Sequence, residues 1–176
     1  MAIRGFIFIL LSLAIISYFV PIEISNKKDS NEDLPLLTFN DSTMYTLTPD
    51  SMNRIVYSTK VLRYKTKDVM HEGALTLKGK DKNNKEVTDI LYADIIIKRG
   101  ESFKFLNNVR YKRDDAITLN TDELIYNAKT KIATNTLPFN GTYFNNYIKG
   151  ENIYLDMIKY YMKSNNTHFE IETTKN

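Results

Sequence analysis

Between Phe103 and Thr136 the chain alternates apolar and polar residues and interrupts that alternation only at short polar turns. A repeat of two puts successive side chains on opposite sides of an extended strand, whereas a helix needs a repeat of 3.6. Phe103, Phe105, Val109 and Tyr111 therefore share one face of a strand. After a turn at Lys112–Asp115, Ile117 and Leu119 resume the pattern, followed by Leu124 and Tyr126. Asn127–Lys131 makes the next turn, and Ile132 leads the strand after it.

The same texture extends in both directions from this stretch. Upstream, strands are expected over Leu36–Leu47 (interrupted at Asn40-Asp41-Ser42), Arg54–Tyr64, Ala74–Leu77 and Val87–Lys98, with a polar hairpin tip at Lys78–Lys85. In Val87–Lys98, Leu91, Ile95 and Ile97 oppose Ile90, Tyr92 and Ile96, and apolar content on both sides predicts a covered position. Downstream, Asn140-Gly141 reads as a two-residue hairpin turn, because both residues tolerate positive φ. Ile153–Tyr161 reads as one strand, although its spacing also fits a short helix, and Phe169–Thr173 ends the chain. A faint echo of FKFLNNVRY in TYFNNYIKG suggests stacked units of two strands each. Short strands at regular spacing, with 12 Tyr but only 6 Gly and 4 Pro, place the chain in the all-β class as a sandwich, barrel or roll.

The N-terminal segment has a different character. Gly5–Ile22 is uncharged and apolar, and as a helix would span roughly 27 Å, close to the hydrocarbon thickness of a bilayer. A cleaved signal peptide needs a small-x-small site near the end of the run. The one candidate, Ser12-Leu13-Ala14, would leave an apolar new N-terminus, so a retained anchor is the better reading. The expected organisation is a short tail at 1–4, one transmembrane helix at 5–22, a polar tether at 23–33 and a β domain at 34–176.

Function classes fall away on composition. Lys and Arg number 24 against 21 Asp and Glu, scattered along the chain, so the basic stripe that nucleic acid requires is missing from the sequence. There is no cysteine, hence no disulfide, thiolate or Cys-based zinc chemistry. The two histidines, His71 and His168, lie about 97 residues apart, and the sequence around neither offers the set of partners that a catalytic or metal role needs. Asp114-Asp115 and Asp122-Glu123 are adjacent carboxylates, but neighbours on a strand point apart and both pairs fall at turns. No catalytic set, metal site or cofactor site is expected.

The segment from Leu119 to Asp156 resembles the LptC family, the bitopic component of lipopolysaccharide export. The likeness lies in Leu119-Asn120-Thr121-Asp122-Glu123-Leu124-Ile125-Tyr126-Asn127, in Ile132-Ala133-Thr134, in Pro138, and in Gly150 through Asp156. Asn127 stands where that family commonly has Asp, and the Leu34–Lys85 half diverges. The resemblance implies an open antiparallel β-jellyroll of two facing sheets in the periplasm of a Gram-negative bacterium, anchored in the inner membrane with a cytoplasmic N-terminus. It implies a non-enzymatic adaptor that takes lipopolysaccharide from the subunits of an inner-membrane ABC transporter and hands it to a soluble, LptA-like bridge protein. The residues expected to line its lipid groove are Val109, Tyr111, Ile117, Leu119, Leu124, Tyr126, Ile132, Phe139 and Ile153. An anchored β-sandwich that scaffolds an envelope or secretion complex, with a dry core and no lipid, is the rival reading. An envelope hydrolase using the Asp114–Glu123 carboxylates is a more distant third.

Overall fold

The structure, a computed structural model, describes residues 34–48, 51–80, 84–144, 146–159 and 161–171. The tail, anchor and tether expected over 1–33 lie outside the described residues. Among the described residues no helix is long and apolar enough to cross a membrane.

The described chain is all strand and turn. Six long strands come first: β1 (Leu37–Thr48), β2 (Ser51–Arg63), β3 (Asp68–Lys80), β4 (Glu86–Arg99), β5 (Ser102–Arg113) and β6 (Ile117–Asn127). Six short ones follow: β7 (Ile132–Asn135), β8 (Phe139–Tyr143), β9 (Asn146–Gly150), β10 (Asn152–Asp156), β11 (Tyr161–Asn165) and β12 (His168–Glu170). β1 through β7 form an antiparallel meander. β6 then serves two partners, since Ile125–Asn127 pairs with β7 while Ile117–Thr121 pairs with β8. One branch continues from β7 to β10 and β11, the other from β8 to β9 and β12.

A line of irregularities runs across the six long strands and prepares this fork. Pairing skips Asp41 against Thr59, and Thr59 against Glu72. It skips Asp94 opposite Glu72, and shifts register between Tyr92 and Ile95 and again between Leu106 and Val109. Asp41, Glu72, Asn107 and Asn108 have φ of 47°, 48°, 62° and 49°, a left-handed conformation that Asn and Asp tolerate better than most residues. Extra residues of this kind bend a strand and add twist. Stacked in register, they fold the sheet along a corner into two wings. The first wing holds the halves of β1–β6 that lead to β8, β9 and β12, and the second holds the halves that lead to β7, β10 and β11. At the corner the Ser58 and Thr59 hydroxyls donate to the His71 carbonyl at 2.7 and 3.0 Å, and Asn108 Nδ2 donates to the Asp94 carboxylate at 2.5 Å.

The corner explains the changes of parity in the sequence. In β4, Leu91 and Ala93 point inward, but past the irregularity the buried residue is Ile96, so Ile95 and Ile97 do not share a face with Leu91 as alternation predicts. In β6 the inward set passes from Ile117 and Leu119 to Leu124 and Tyr126 across Asp122.

Three further expectations are corrected. Asn140-Gly141 is not a turn, because it lies inside β8, with Asn140 opposite Asn120 and Gly141 opposite Leu119. The glycine is required for a different reason, since a Cβ there would come within 1.9 Å of Thr118 O. Ile153–Tyr161 is not a single strand. The Asp156 carboxylate accepts hydrogen bonds from Ile158 N (3.0 Å) and Lys159 N (2.9 Å), and the resulting turn splits the run into the β10–β11 hairpin. The suggested repeat does not become a repeated unit, because FKFLNNVRY is one bent strand whereas TYFNNYIKG runs from β8 into β9.

Gly141→Ala should destabilise the domain by about 3 kcal/mol or more, since the clash is with backbone and no side chain can give way. Gly79→Ala, where an added methyl meets nothing within 4 Å, should change stability by less than about 1 kcal/mol. Urea unfolding of the two variants side by side checks the placement of β8 on β6.

Candidate functional site

The space between the wings is lined in rows, because register partners on adjacent strands share a face. In the first wing Met44, Val56, Leu75, Leu91 and Tyr111 are successive partners from β1 to β5. Leu119, Gly141, Ile148 and Phe169 continue the row through β6, β8 and β9 to β12. In the second wing Phe39, Val61, Met70, Ile96, Phe105 and Leu124 run from β1 to β6 in the same way. The first stripe runs from β1 to β12 and the second from β1 to β6, each nearly at right angles to the strands it crosses. Inside they are buried, and at the edges they are not: Phe39 and Phe169 are each 43% exposed.

Eight of the nine expected lining residues are brought together here. Val109, Tyr111, Ile117, Leu119, Leu124, Tyr126, Phe139 and Ile153 are all buried in one core cluster. Ile132 is not among them. It pairs with Asn127 on the outer face and is half-buried, while its neighbour Ala133 pairs with Tyr126 inside. That is the one-residue inversion to which a strand with apolar residues at consecutive positions is prone.

Away from the corner the lining changes character. Arg54, Leu77, Asp89, Arg113 and Ile117 are consecutive partners in the first wing, and Arg63, Asp68, Lys98, Phe103 and Tyr126 in the second. Two apolar stripes thus open onto a charged mouth. The Asp89 carboxylate receives Arg113 Nε at 2.6 Å, Arg113 Nη2 at 2.9 Å and the Tyr111 hydroxyl at 2.7 Å, all buried. Arg113 Nη2 also donates to Met157 O at 3.4 Å, from one wing to the other. Arg54 joins the wings as well, with Nη2 3.7 Å from Glu101 Oε2 and its guanidinium 5.5 Å from the centre of the Phe103 ring. Lys98 stands 6.0 Å from the centre of that ring, so two cations share one aromatic face system. Tyr126 packs against Phe103 with ring centres 6.3 Å apart. Burial pushes its phenol up to about 12, with Arg54 pulling weakly the other way. Burial, and then Arg54, push the Lys131 ammonium below its ordinary value.

Sequence reasoning missed this mouth. Its signal was present: Arg54, Asp89 and Arg113 have the inward parity of Val56, Leu91 and Tyr111, but Arg113 falls in the expected Lys112–Asp115 turn, and Arg54 and Asp89 are charges near the starts of their expected strands. At the fork the buried Asn135 side chain donates to Thr121 Oγ1 (2.9 Å) and Leu137 O (2.9 Å) and accepts from Ile153 N (2.7 Å), tying β6, β7 and β10 together.

The remaining candidates are accounted for on the surface. Asp114 Oδ1 accepts from Thr88 N at 3.1 Å, Asp115 pairs with Lys112 at 3.1 Å, and Glu123 pairs with Lys104 at 2.7 Å. Among the described residues no group of three His, Cys, Asp or Glu side chains could hold a metal ion. A polar groove of about 800 Å³ lies along the corner, lined among others by Asp94, Arg110, Asn120, Asn140, Tyr147 and Lys149.

Arg113→Leu should cost about 3–5 kcal/mol by leaving Asp89 buried without its partner, and Asp89→Leu with Arg113→Leu should restore most of that loss. Denaturant unfolding of the single and double variants gives the coupling. Tyr126 binds its proton more tightly folded than unfolded, so its contribution is complete below about pH 10 and is lost as pH rises toward 12. The protein should therefore lose about 2 kcal/mol more than its Tyr126→Phe variant between pH 9.5 and 12. Unfolding curves at several alkaline pH values test this.

No family profile matches this chain, and no curated protein does. Among solved structures it is similar to LptH of Pseudomonas aeruginosa, described as the LptA-homologous periplasmic component of the conserved lipopolysaccharide transport device. The alignment covers 78% of this chain and 94% of that one, with 12% sequence identity and a TM-score of 0.41.

Proposed function

We propose that this chain is a membrane-anchored periplasmic adaptor of the LptC type, which takes lipopolysaccharide from an inner-membrane ABC transporter and passes it to a soluble bridge protein of its own fold class. The observation that carries the proposal is an apolar interior that stays uncovered at two edges of the sheet, one stripe ending at Phe39 on β1 and the other at Phe169 on β12. An ordinary core closes over its apolar residues, whereas this one presents Phe39 at β1 and Phe169 at β12. Exposed edge strands are a liability in an isolated sheet. Against partners of the same architecture they become joints, because strand addition continues the sheet and brings one interior against the next. Acyl chains then move along the stripes without entering water, which would cost about 0.8 kcal/mol for each methylene. Energy for extraction comes from the transporter, and the uncharged Gly5–Ile22 segment holds the domain beside it.

A photo-crosslinking amino acid placed in cells at Ile117 or Leu124, both buried in the interior, should capture lipopolysaccharide. The same group at Asn120 or Ile125, both on the outer face, should not. Equal capture at inner and outer positions, or none at any inner position, would sink the proposal.

The cross-wing contacts at the mouth favour a second reading, an anchored scaffold with a dry, closed core. Mass spectrometry of the chain purified from membranes separates the two, since a scaffold carries no stoichiometric lipid through washing.

A further inference from the structure

The charged mouth contains more unmet donor capacity than a purely structural clasp requires. Asp89 is fully engaged by Arg113 and Tyr111. The groups beyond it are not. Tyr126 is 0% exposed and its hydroxyl has no hydrogen-bond partner, nor does Arg54 Nε. A phenol in such a position could be phenylalanine at no cost in packing, so its oxygen is an expense to the fold. Arg54 and Lys98 both stand on Phe103, against which Tyr126 packs. Lys131, at the turn after β6, is close enough to Arg54 for the guanidinium to disfavour its charge. Of the carboxylates around this set, Asp89 is committed to Arg113 and Tyr111, Asp68 to Arg63, and Glu101 stands 3.7 Å from Arg54 and is 62% exposed. A guanidinium, a phenol and two ammonium groups thus gather at one end of an apolar interior, where the carboxylate not committed to another buried partner, Glu101, faces solvent. Each of them is improved by the same addition, an oxygen anion that accepts hydrogen bonds.

We propose that Arg54, Tyr126 and Lys131 form a binding site for an oxyanion, a phosphate monoester or carboxylate, at the mouth between the wings. The apolar stripes behind the site fit an anion that carries an alkyl or acyl chain, with its head at Arg54 and its tail toward Leu91 and Phe105. This last step rests on the lipid reading above, whereas the oxyanion site does not. The arrangement assigns different tasks to the buried Arg113 and the half-buried Arg54. Arg113, fixed by Asp89 within the first wing, reaches Met157 O in the second, and Arg54 receives the ligand.

The test uses the full chain in maltoside micelles and three probes: octyl phosphate, octyl glucoside and inorganic phosphate. Thermal unfolding and phosphorus NMR linewidths are the readouts. Octyl phosphate should raise the unfolding midpoint and broaden its own resonance. Arg54→Gln and Lys131→Gln should each weaken its binding by about tenfold, the scale of one charge-assisted hydrogen bond. Tyr126→Phe should raise the midpoint without ligand and weaken octyl phosphate binding as well, a combination that loss of folding cannot imitate. Inorganic phosphate binding with the same dependence on Arg54 and Lys131 would support the site with free phosphate as a sufficient ligand. Octyl glucoside acting as strongly as octyl phosphate, with the two Gln variants unaffected, would overturn the oxyanion site and leave lipid carriage standing. Binding of none of the three would also overturn it, and capture at Ile117 and Leu124 would then judge lipid carriage alone.

Discussion

The corner across β1–β6 is the constraint on which everything else depends. A flat meander of six strands this long would expose one whole face, and burying that face requires a second sheet or a fold in the first. This chain folds the first. Asp41, Glu72, Asn107 and Asn108 accept left-handed backbone, and hydroxyls and amides at Ser58, Thr59 and Asn108 recover the hydrogen bonds the bend would otherwise forfeit. Because the irregularities are aligned in register, each strand contributes one half to each wing, and the interior becomes a set of stripes rather than a patch. The stripes next to the corner are apolar, and the outermost rows bring charged residues into the same interior, with Asp89 and Arg113 buried there as a pair.

What could be read before the structure was what depends on neighbours in sequence. The strand class, most strand positions and eight of nine interior residues follow from alternation and turn chemistry, and even the change of parity between Leu119 and Leu124 was visible. What could not be read depends on neighbours in space. Asn140-Gly141 has the composition of a tight turn, but the backbone of Thr118 presses against Gly141, and that pressure is invisible in one dimension. Ile132 and Ala133 are both apolar, so only the pairing with Asn127 and Tyr126 decides which enters. Within Ile153–Tyr161 the β-branched, aromatic and Met residues carry the strand pattern, and the turn that Asp156 forms inside it shows only in the pairing of β10 with β11.

The buried charges set the chemistry of the interior apart from an ordinary core. A pair such as Asp89–Arg113 adds little net stability compared with apolar residues of the same size, yet it resists separation strongly. Here it is placed where one wing meets the other, with Arg113 reaching Met157 O. It therefore specifies how the wings close more than how firmly the chain folds. Arg54 and Tyr126, a few ångströms further along the same mouth, carry the opposite balance, with donors in excess of acceptors.

The double pairing of β6 has a mechanical consequence. From β1 to β6 the two wings are halves of the same strands, and spreading them means bending six backbones at once. Beyond β6 no strand belongs to both wings. The β7–β10–β11 branch and the β8–β9–β12 branch are joined by single crossings of the chain and by the Asn135 side chain. The domain is accordingly built like a clothes-peg, stiff at the β1 end and compliant at the β11–β12 end. The two ends of the interior are therefore not equivalent, one tied through six shared backbones and the other through crossings of the chain.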